Sequence, residues 1–156
     1  MTYIEAGKAL IKEIELNGYE AYFVGGAVRD YLLDIPIHDI DITTNAKAKK
    51  LVKIFKDTDK KGIKFESVLI KFMGYEFETT TYRVDSDYAD NRHPLVKTTL
   101  DLSVDLSRRD FTVNALATTD FLDIKDNFEG LSDLEGKLIR TIKDPYTSFS
   151  EDSLRI

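Results

Sequence analysis

Apolar and polar positions alternate along this 156-residue chain at two different spacings. From Ile4 to Leu16, Ala6, Leu10 and Ile14 recur at helical spacing, and Gly18 follows as a stop. Ala21-Tyr22-Phe23-Val24 reads as a short buried strand, Gly25-Gly26 as a turn, and Ala27 to Leu33 as a helix. Pro36 breaks the chain ahead of Asp39-Ile40-Asp41-Ile42-Thr43, which alternates as a strand does. Ala46 to Phe55 predicts a second amphipathic helix. Phe65 to Phe72 and Tyr75 to Val84 predict two strands joined in a hairpin at Met73-Gly74. The polar stretch from Asp85 to about Thr99, with Pro94 inside it, is of a length that in compact domains goes with function or motion. Leu102 to Ala117 predicts a helix with Leu102, Leu106, Val113 and Leu116 as its apolar positions. Residues 121 to 146 read as irregular, with a short strand around Leu138 to Ile142. Ser150-Glu151-Asp152 predicts the opening of a new helix, with a good N-cap and acids in its first turn. Only one turn of it fits before Ile156, too little to be stable alone, so the chain is expected to be a fragment or to have that helix completed by something else.

This length is one ordinary domain. Hydrophobic residues at 42%, with nine Phe and eight Tyr, supply a core, and 32% charged residues supply a solvated surface. The absence of cysteine excludes a disulfide framework and a thiolate metal site. His38 and His93 are the only histidines, so a metal site would rest on carboxylates, which favours Mg²⁺ or Mn²⁺ over Zn²⁺. No apolar run is long enough to span a bilayer, and the amphipathic, acid-bearing start is unlike a signal peptide; no membrane contact and a cytoplasmic location are expected. A net charge of −6 is wrong for a surface that grips RNA alone, so RNA contacts are expected to be local or to lie in other domains.

Five groups of residues carry candidate chemistry. Gly25 and Gly26, between a strand and a helix, would let a phosphate approach backbone amides, with Arg29 adding a full charge; a plain strand-to-helix turn is the other reading. Asp39 and Asp41, two residues apart on a strand, would point to one face about 6–7 Å apart at Cα. A divalent cation relieves their repulsion, and a pair of cations would activate an attacking hydroxyl and stabilise leaving pyrophosphate; a solvated polar edge is the alternative. Glu78 would complete a carboxylate triad if its strand neighbours that of Asp39 and Asp41, with Glu76 as rival on the same face. Asp110 and Asn114, helical neighbours at i,i+4, could hold a ribose while Arg108 or Arg109 holds a triphosphate; a surface helix with an Arg–Asp pair competes. Asp152 and Arg155, at i,i+3, match the pairing edge shared by cytosine and adenine, an amino donor beside a ring-nitrogen acceptor, whereas guanine and uracil would leave groups mismatched. An ordinary N-terminal acid paired with an arginine is the alternative there.

Val24-Gly25-Gly26-Ala27-Val28-Arg29-Asp30, Asp39-Ile40-Asp41, Arg108-Arg109-Asp110-Phe111-Thr112-Val113-Asn114-Ala115-Leu116-Ala117 and Glu151-Asp152-Ser153-Leu154-Arg155, in that order, resemble the motifs of class II tRNA nucleotidyltransferases, the CCA-adding enzymes. Bacterial poly(A) polymerases share most of them. The resemblance covers nearly the whole chain, including Thr80 to Asp85 and Tyr88 to Pro94. It implies an α/β (α+β) nucleotidyltransferase fold similar to the DNA polymerase β palm, a mixed sheet flanked by helices. It implies a catalytic head over residues 1–149 and the start of a helical neck at 150–156. By the same resemblance, Asp39 and Asp41 hold Mg²⁺ (two ions, Mn²⁺ also serving), and triphosphate contacts fall near Gly25, Gly26 and Arg29. Asp110 meets the ribose, and Asp152 and Arg155 select the base. The RNA 3′ hydroxyl attacks the α-phosphate with no covalent intermediate. The implied partners are ATP, CTP and the tRNA 3′ end, the last mainly through neck, body and tail domains. The segment from Asp85 onward matches one thought to move between C and A addition.

The chain departs from the family pattern at several points. Asp34 stands where Gly is common, Ser148 where an Arg before Phe is usual, and Lys143 where Gly is common, and Leu95 to Leu100 is less acidic. A poly(A) polymerase or A-only adding enzyme is the nearest alternative, and a non-catalytic nucleotide-binding module a remote one. A Rossmann dehydrogenase is disfavoured because Gly25-Gly26 lacks the G-x-G-x-x-G spacing.

Overall fold

The computed structural model describes residues 1–84 and 96–156. Most of the polar stretch read from Asp85 to Thr99, including the Tyr88 to Pro94 motif, lies outside the described residues.

Helix α1 (Tyr3–Leu16) opens with a capping box. Thr2 Oγ1 accepts from the Glu5 N–H and the Glu5 carboxylate accepts from the Thr2 N–H. Its buried stripe, Ala6, Leu10, Ile11 and Ile14, packs on β1 (Ala21–Val24) and joins the main core with Phe23, Ile42, Val68, Ile70 and Phe77. Helix α2 (Gly26–Leu32) follows β1 directly, and β2 (Asp41–Thr44) comes next. Between them Asp34 has φ 57°, the left-handed region that favours glycine. Helix α3 (Ala48–Ile54) leads to β3 (Thr58–Asp59), then to the expected hairpin of β4 (Ser67–Phe72) and β5 (Tyr75–Thr81).

Among the described residues one mixed sheet runs β3-β4-β5-β2-β1, then β8 (Leu116–Thr118) and β9 (Ile124–Asp126). Among the described strands β2 and β5 alone pair in parallel, with Asp41 opposite Glu78. A separate two-stranded ladder joins β6 (Arg83–Val84) to β7 (Lys97–Thr98). The mixed sheet with packed helices is the architecture expected. No helix among the described residues is long and apolar enough to cross a membrane.

Three expected elements differ. The helix over Leu102 to Ala117 stops early: α4 spans Leu102–Ser107, Thr112–Asn114 forms a 3₁₀ turn, and Leu116–Thr118 joins the sheet. Pairing of β8 with β1 satisfies that backbone better than another helical turn of β-branched Thr112 and Val113 would. The strand at Leu138 to Ile142 reduces to a single bridge between Phe111 and Thr141. The irregular stretch before it contains β9 and α5 (Gly130–Glu135), whose first amides, Gly130 N–H and Leu131 N–H, bond the Asp126 carboxylate. Finally, the terminal helix is α6 (Pro145–Glu151), started by Asp144 with Pro145 behind it, and it ends where a helix was expected to begin. Asp152 caps only a 3₁₀ turn, Ser153–Arg155.

A Cβ on Gly130 would sit 2.3 Å from the Thr112 carbonyl oxygen, a backbone atom that cannot swing aside. Gly130→Ala is expected to cost about 1–3 kcal/mol through overpacking. Urea denaturation reads this, and an unchanged midpoint would contradict the close approach.

Candidate active site

The sheet buries one face in the main core and turns its other face to a cleft. Ladder register draws a row across three strands on the cleft face, with Val24 opposite Asp41 and Asp41 opposite Glu78. Ile40 and Ile42 both enter the core, so the aspartates that flank Ile40 avoid it. The expected strand is shorter than read: Asp41 opens β2, and Asp39 lies just ahead of it.

Gly25 brings the turn to this row. Its φ of 70° and ψ of −143° belong to glycine, and a Cβ there would lie 3.8 Å from Asp41 Oδ2 and 3.7 Å from Arg109 Nη1. Turn, acid and arginine therefore converge within van der Waals reach of one point. The cleft around them has a volume of about 380 Å³. It is lined by Gly25, Gly26, Arg29, Asp41, Arg108, Arg109, Asp110, Asn114, Asp152, Leu154 and Arg155. Every residue singled out from the sequence as a nucleotide contact lines it; Asp39 and Glu78 do not. Two clefts of about 510 and 560 Å³, beside the start of α1 and between Tyr22 and Leu102, are larger but gather no comparable set of cations.

Charge in the cleft is organised by a residue that sequence reasoning passed over. Asp105 is fully buried on α4. Its carboxylate accepts from Thr43 Oγ1 (3.1 Å), the Arg83 N–H (2.9 Å), Arg108 Nη2 (3.1 Å) and Arg109 Nη2 (3.3 Å). The signal was an acid beside Leu106 on the apolar stripe, three and four residues before two arginines. Burial pushes the Arg109 guanidinium down from its ordinary value, against the pull of Asp105, and its buried Nε–H has no acceptor among the described residues.

A second relay links the glycine turn to the expected ribose contact. Arg29 donates to Asp30 (2.8 Å) and, through Nη1, to Asn114 Oδ1 (2.8 Å); Asn114 Nδ2 donates to Asp110 Oδ1 (3.0 Å). The Asp110–Asn114 contact expected of a helix is thus made across a 3₁₀ turn instead. Arg155, also lining the cleft, is clamped by the Arg108 carbonyl (2.9 Å) and by the carbonyl and hydroxyl of Ser148 (3.2 and 3.3 Å). Asp152 Oδ1 accepts from the Leu154 N–H at 2.9 Å.

The Asp41 carboxyl is held above its ordinary value. Desolvation contributes most, then the Glu78 charge, with Asp39 adding and Arg109 opposing. Its surface opens to the cleft, yet protein atoms crowd the carboxyl from below, and that crowding sets the direction. Glu78 accepts from Ser67 Oγ at 3.2 Å, whereas Glu76 pairs with Lys71 across the hairpin at 3.6 Å. Glu78 is therefore the acid facing Asp41. Among the described residues no three His, Asp or Glu side chains cluster tightly enough to hold a metal by themselves.

A family model described as the poly(A) polymerase head domain matches residues 21–140. The chain belongs to the poly(A) polymerase head domain family. This head domain is 45% identical over 153 residues to the CCA-adding enzyme of Pediococcus pentosaceus, covering 97% of the chain and 39% of that protein. It is 48% identical over 152 residues to the CCA-adding enzyme of Lactobacillus johnsonii, covering 97% and 38%. It superposes on the crystal structure of the Bacillus stearothermophilus CCA-adding enzyme in complex with CTP with a TM-score of 0.89 at 37% identity, covering 99% of the chain and 38% of that one. The head domain spans about two-fifths of the length of the curated relatives it matches.

Proposed function

We propose that this head domain carries the chemistry of a CCA-adding tRNA nucleotidyltransferase, transferring C and A from CTP and ATP to the 3′ end of tRNA. The single observation behind this reading is the cleft itself: one space lined by a glycine turn, Asp41, Arg29, Arg108, Arg109, Asp152 and Arg155. The names of the relatives favour CCA addition over poly(A) synthesis.

Asp39 and Asp41 would hold Mg²⁺, with two ions the expected number and Mn²⁺ a substitute. Hard carboxylate oxygens fit such an ion, and so does the raised Asp41 value, since a cation relieves the desolvation and repulsion behind it. Two carboxylates suffice, because Mg²⁺ usually takes its remaining ligands from water and substrate phosphates. When bound, the metal would lower the cost of ionising the attacking hydroxyl and of releasing pyrophosphate. Gly25 lets the triphosphate approach the backbone. Arg29, Arg108 and Arg109 neutralise it, and the unsatisfied Arg109 Nε–H gains an acceptor. Asp110, oriented by Asn114, accepts from a ribose hydroxyl. Asp152 accepts from the base amino group while Arg155 donates to the ring nitrogen. The RNA 3′ oxygen bonds to the α-phosphorus as the bond to the bridging oxygen breaks and pyrophosphate leaves. Glu78 completes the acidic row opposite Asp41.

Incubation with tRNA lacking its terminal CCA and each nucleotide in turn tests this. Addition of C, C and A followed by arrest is the expected product. A long A tract from ATP alone would replace the reading with poly(A) synthesis, and no transfer from any nucleotide would leave only a binding module.

A further inference from the structure

We propose that Tyr3 is a positioning residue whose hydroxyl, inserted between β2 and β5, sets the placement of the two aspartates that flank Ile40. The proposal rests on the metal reading of Asp39 and Asp41.

The β2–β5 ladder is parallel, so on β2 every second residue makes the bonds. Thr44 is one of them, its carbonyl accepting from the Tyr82 N–H at 2.8 Å. Stepping back by twos reaches Ile42 and then Ile40, whose N–H would meet the Glu76 carbonyl if the ladder continued. It does not continue. The Tyr3 hydroxyl occupies that gap, accepting from the Ile40 N–H at 3.3 Å and donating to the Glu76 carbonyl at 2.5 Å. One oxygen atom thus replaces a direct strand-to-strand bond, immediately below the Asp41–Glu78 pair.

The insertion separates the strands where Asp39 precedes β2, while both backbone groups remain satisfied. The ring that carries the hydroxyl is itself fixed. It stacks on Tyr75 at 4.9 Å with 11° between planes, and meets Phe77 at 5.1 Å. Tyr3 therefore ties α1 to the peptide that joins Asp39 to Ile40, between the two acids. Without the hydroxyl, Ile40 either closes onto Glu76 or loses its acceptor, and the spacing of the carboxylates changes in both cases.

Mn²⁺ binding in the presence of CTP, followed by electron paramagnetic resonance, tests this. Tyr3→Phe keeps the stacked ring and removes only the inserted oxygen, and is expected to weaken Mn²⁺ about tenfold, the scale for residues that orient metal ligands. CTP binding in EDTA is expected to be unchanged. Tyr75→Phe is the control: it removes a hydroxyl bond from the same stacked pair, to the Met1 carbonyl at 2.9 Å, and leaves the Ile40–Tyr3–Glu76 bridge in place. Equal weakening by both variants would mean general loosening of α1 and would overturn the proposal, as would wild-type Mn²⁺ affinity in Tyr3→Phe. Asp41→Asn separates the two levels. If it leaves Mn²⁺ binding intact, the metal reading fails and the positioning role with it; if it abolishes binding while Tyr3→Phe does not weaken it, only the role of Tyr3 is lost.

Discussion

Asp41→Asn is expected to abolish nucleotidyl transfer and yet raise the melting temperature of the metal-free protein at neutral pH. The first effect follows from the position of Asp41 where the glycine turn, Arg109 and the acidic row meet. Loss of one preorganised electrostatic element of an active site costs on the order of a thousandfold in rate. The second follows from the raised carboxyl. Burial comes first among its causes and the Glu78 charge second, and both disfavour the ionised form in the folded chain. An acid with its value raised on folding costs stability above that value and nothing well below the ordinary carboxylate range. Asparagine carries no such cost, so the variant gains at pH 7, and the gap to wild type closes as pH falls toward about 4. Calorimetry in chelator across that range measures it. A variant that melts below wild type at pH 7, or that keeps its transfer activity, would refute the placement.

Asp105→Ala is expected to destabilise the domain by about 3–5 kcal/mol, the cost of removing one partner from a buried charge network. Two guanidinium groups, the Arg83 N–H and the Thr43 hydroxyl all lose the same acceptor. Burial already disfavours charge on Arg109, and the Asp41 charge would be left to offset it. Urea denaturation gives the number. A loss below about 1 kcal/mol, the worth of an exposed pair, would show that the network is screened rather than buried. The contact of Arg155 with the Arg108 carbonyl is expected to weaken with it, because Asp105 holds the Arg108 side chain.

Residues whose chemistry depends on local spacing were legible in the sequence. Gly25, Asp41, Asp110 and Arg155 announce themselves by type and interval, and the fold brings them to one cleft. Strand alternation was legible too: the segments read as strands around Ile42 and from Tyr75 onward form β2 and β5, with Ile42 and Phe77 in the core. The failures share a physical origin. The segment from Arg108 to Thr118 has helical spacing, but β1 offers an open edge and Asp105 draws both arginines inward, so tertiary pairing outweighs local preference. The start of α6 could have been read from Asp144-Pro145, since an acid followed by proline suits a first turn. Tyr3 could not be read: nothing in a helix N-terminus says that its hydroxyl will stand in for a hydrogen bond between two strands far along the chain.

The gathering of arginines in one cleft has a consequence for encounter rates. The chain as a whole carries a net charge of −6, while Arg29, Arg108, Arg109 and Arg155 line one cleft and give it a local attraction for a polyphosphate. Such a field works as a funnel in solution, steering an anion to the cleft before any contact forms, and it fades as dissolved ions shorten its reach.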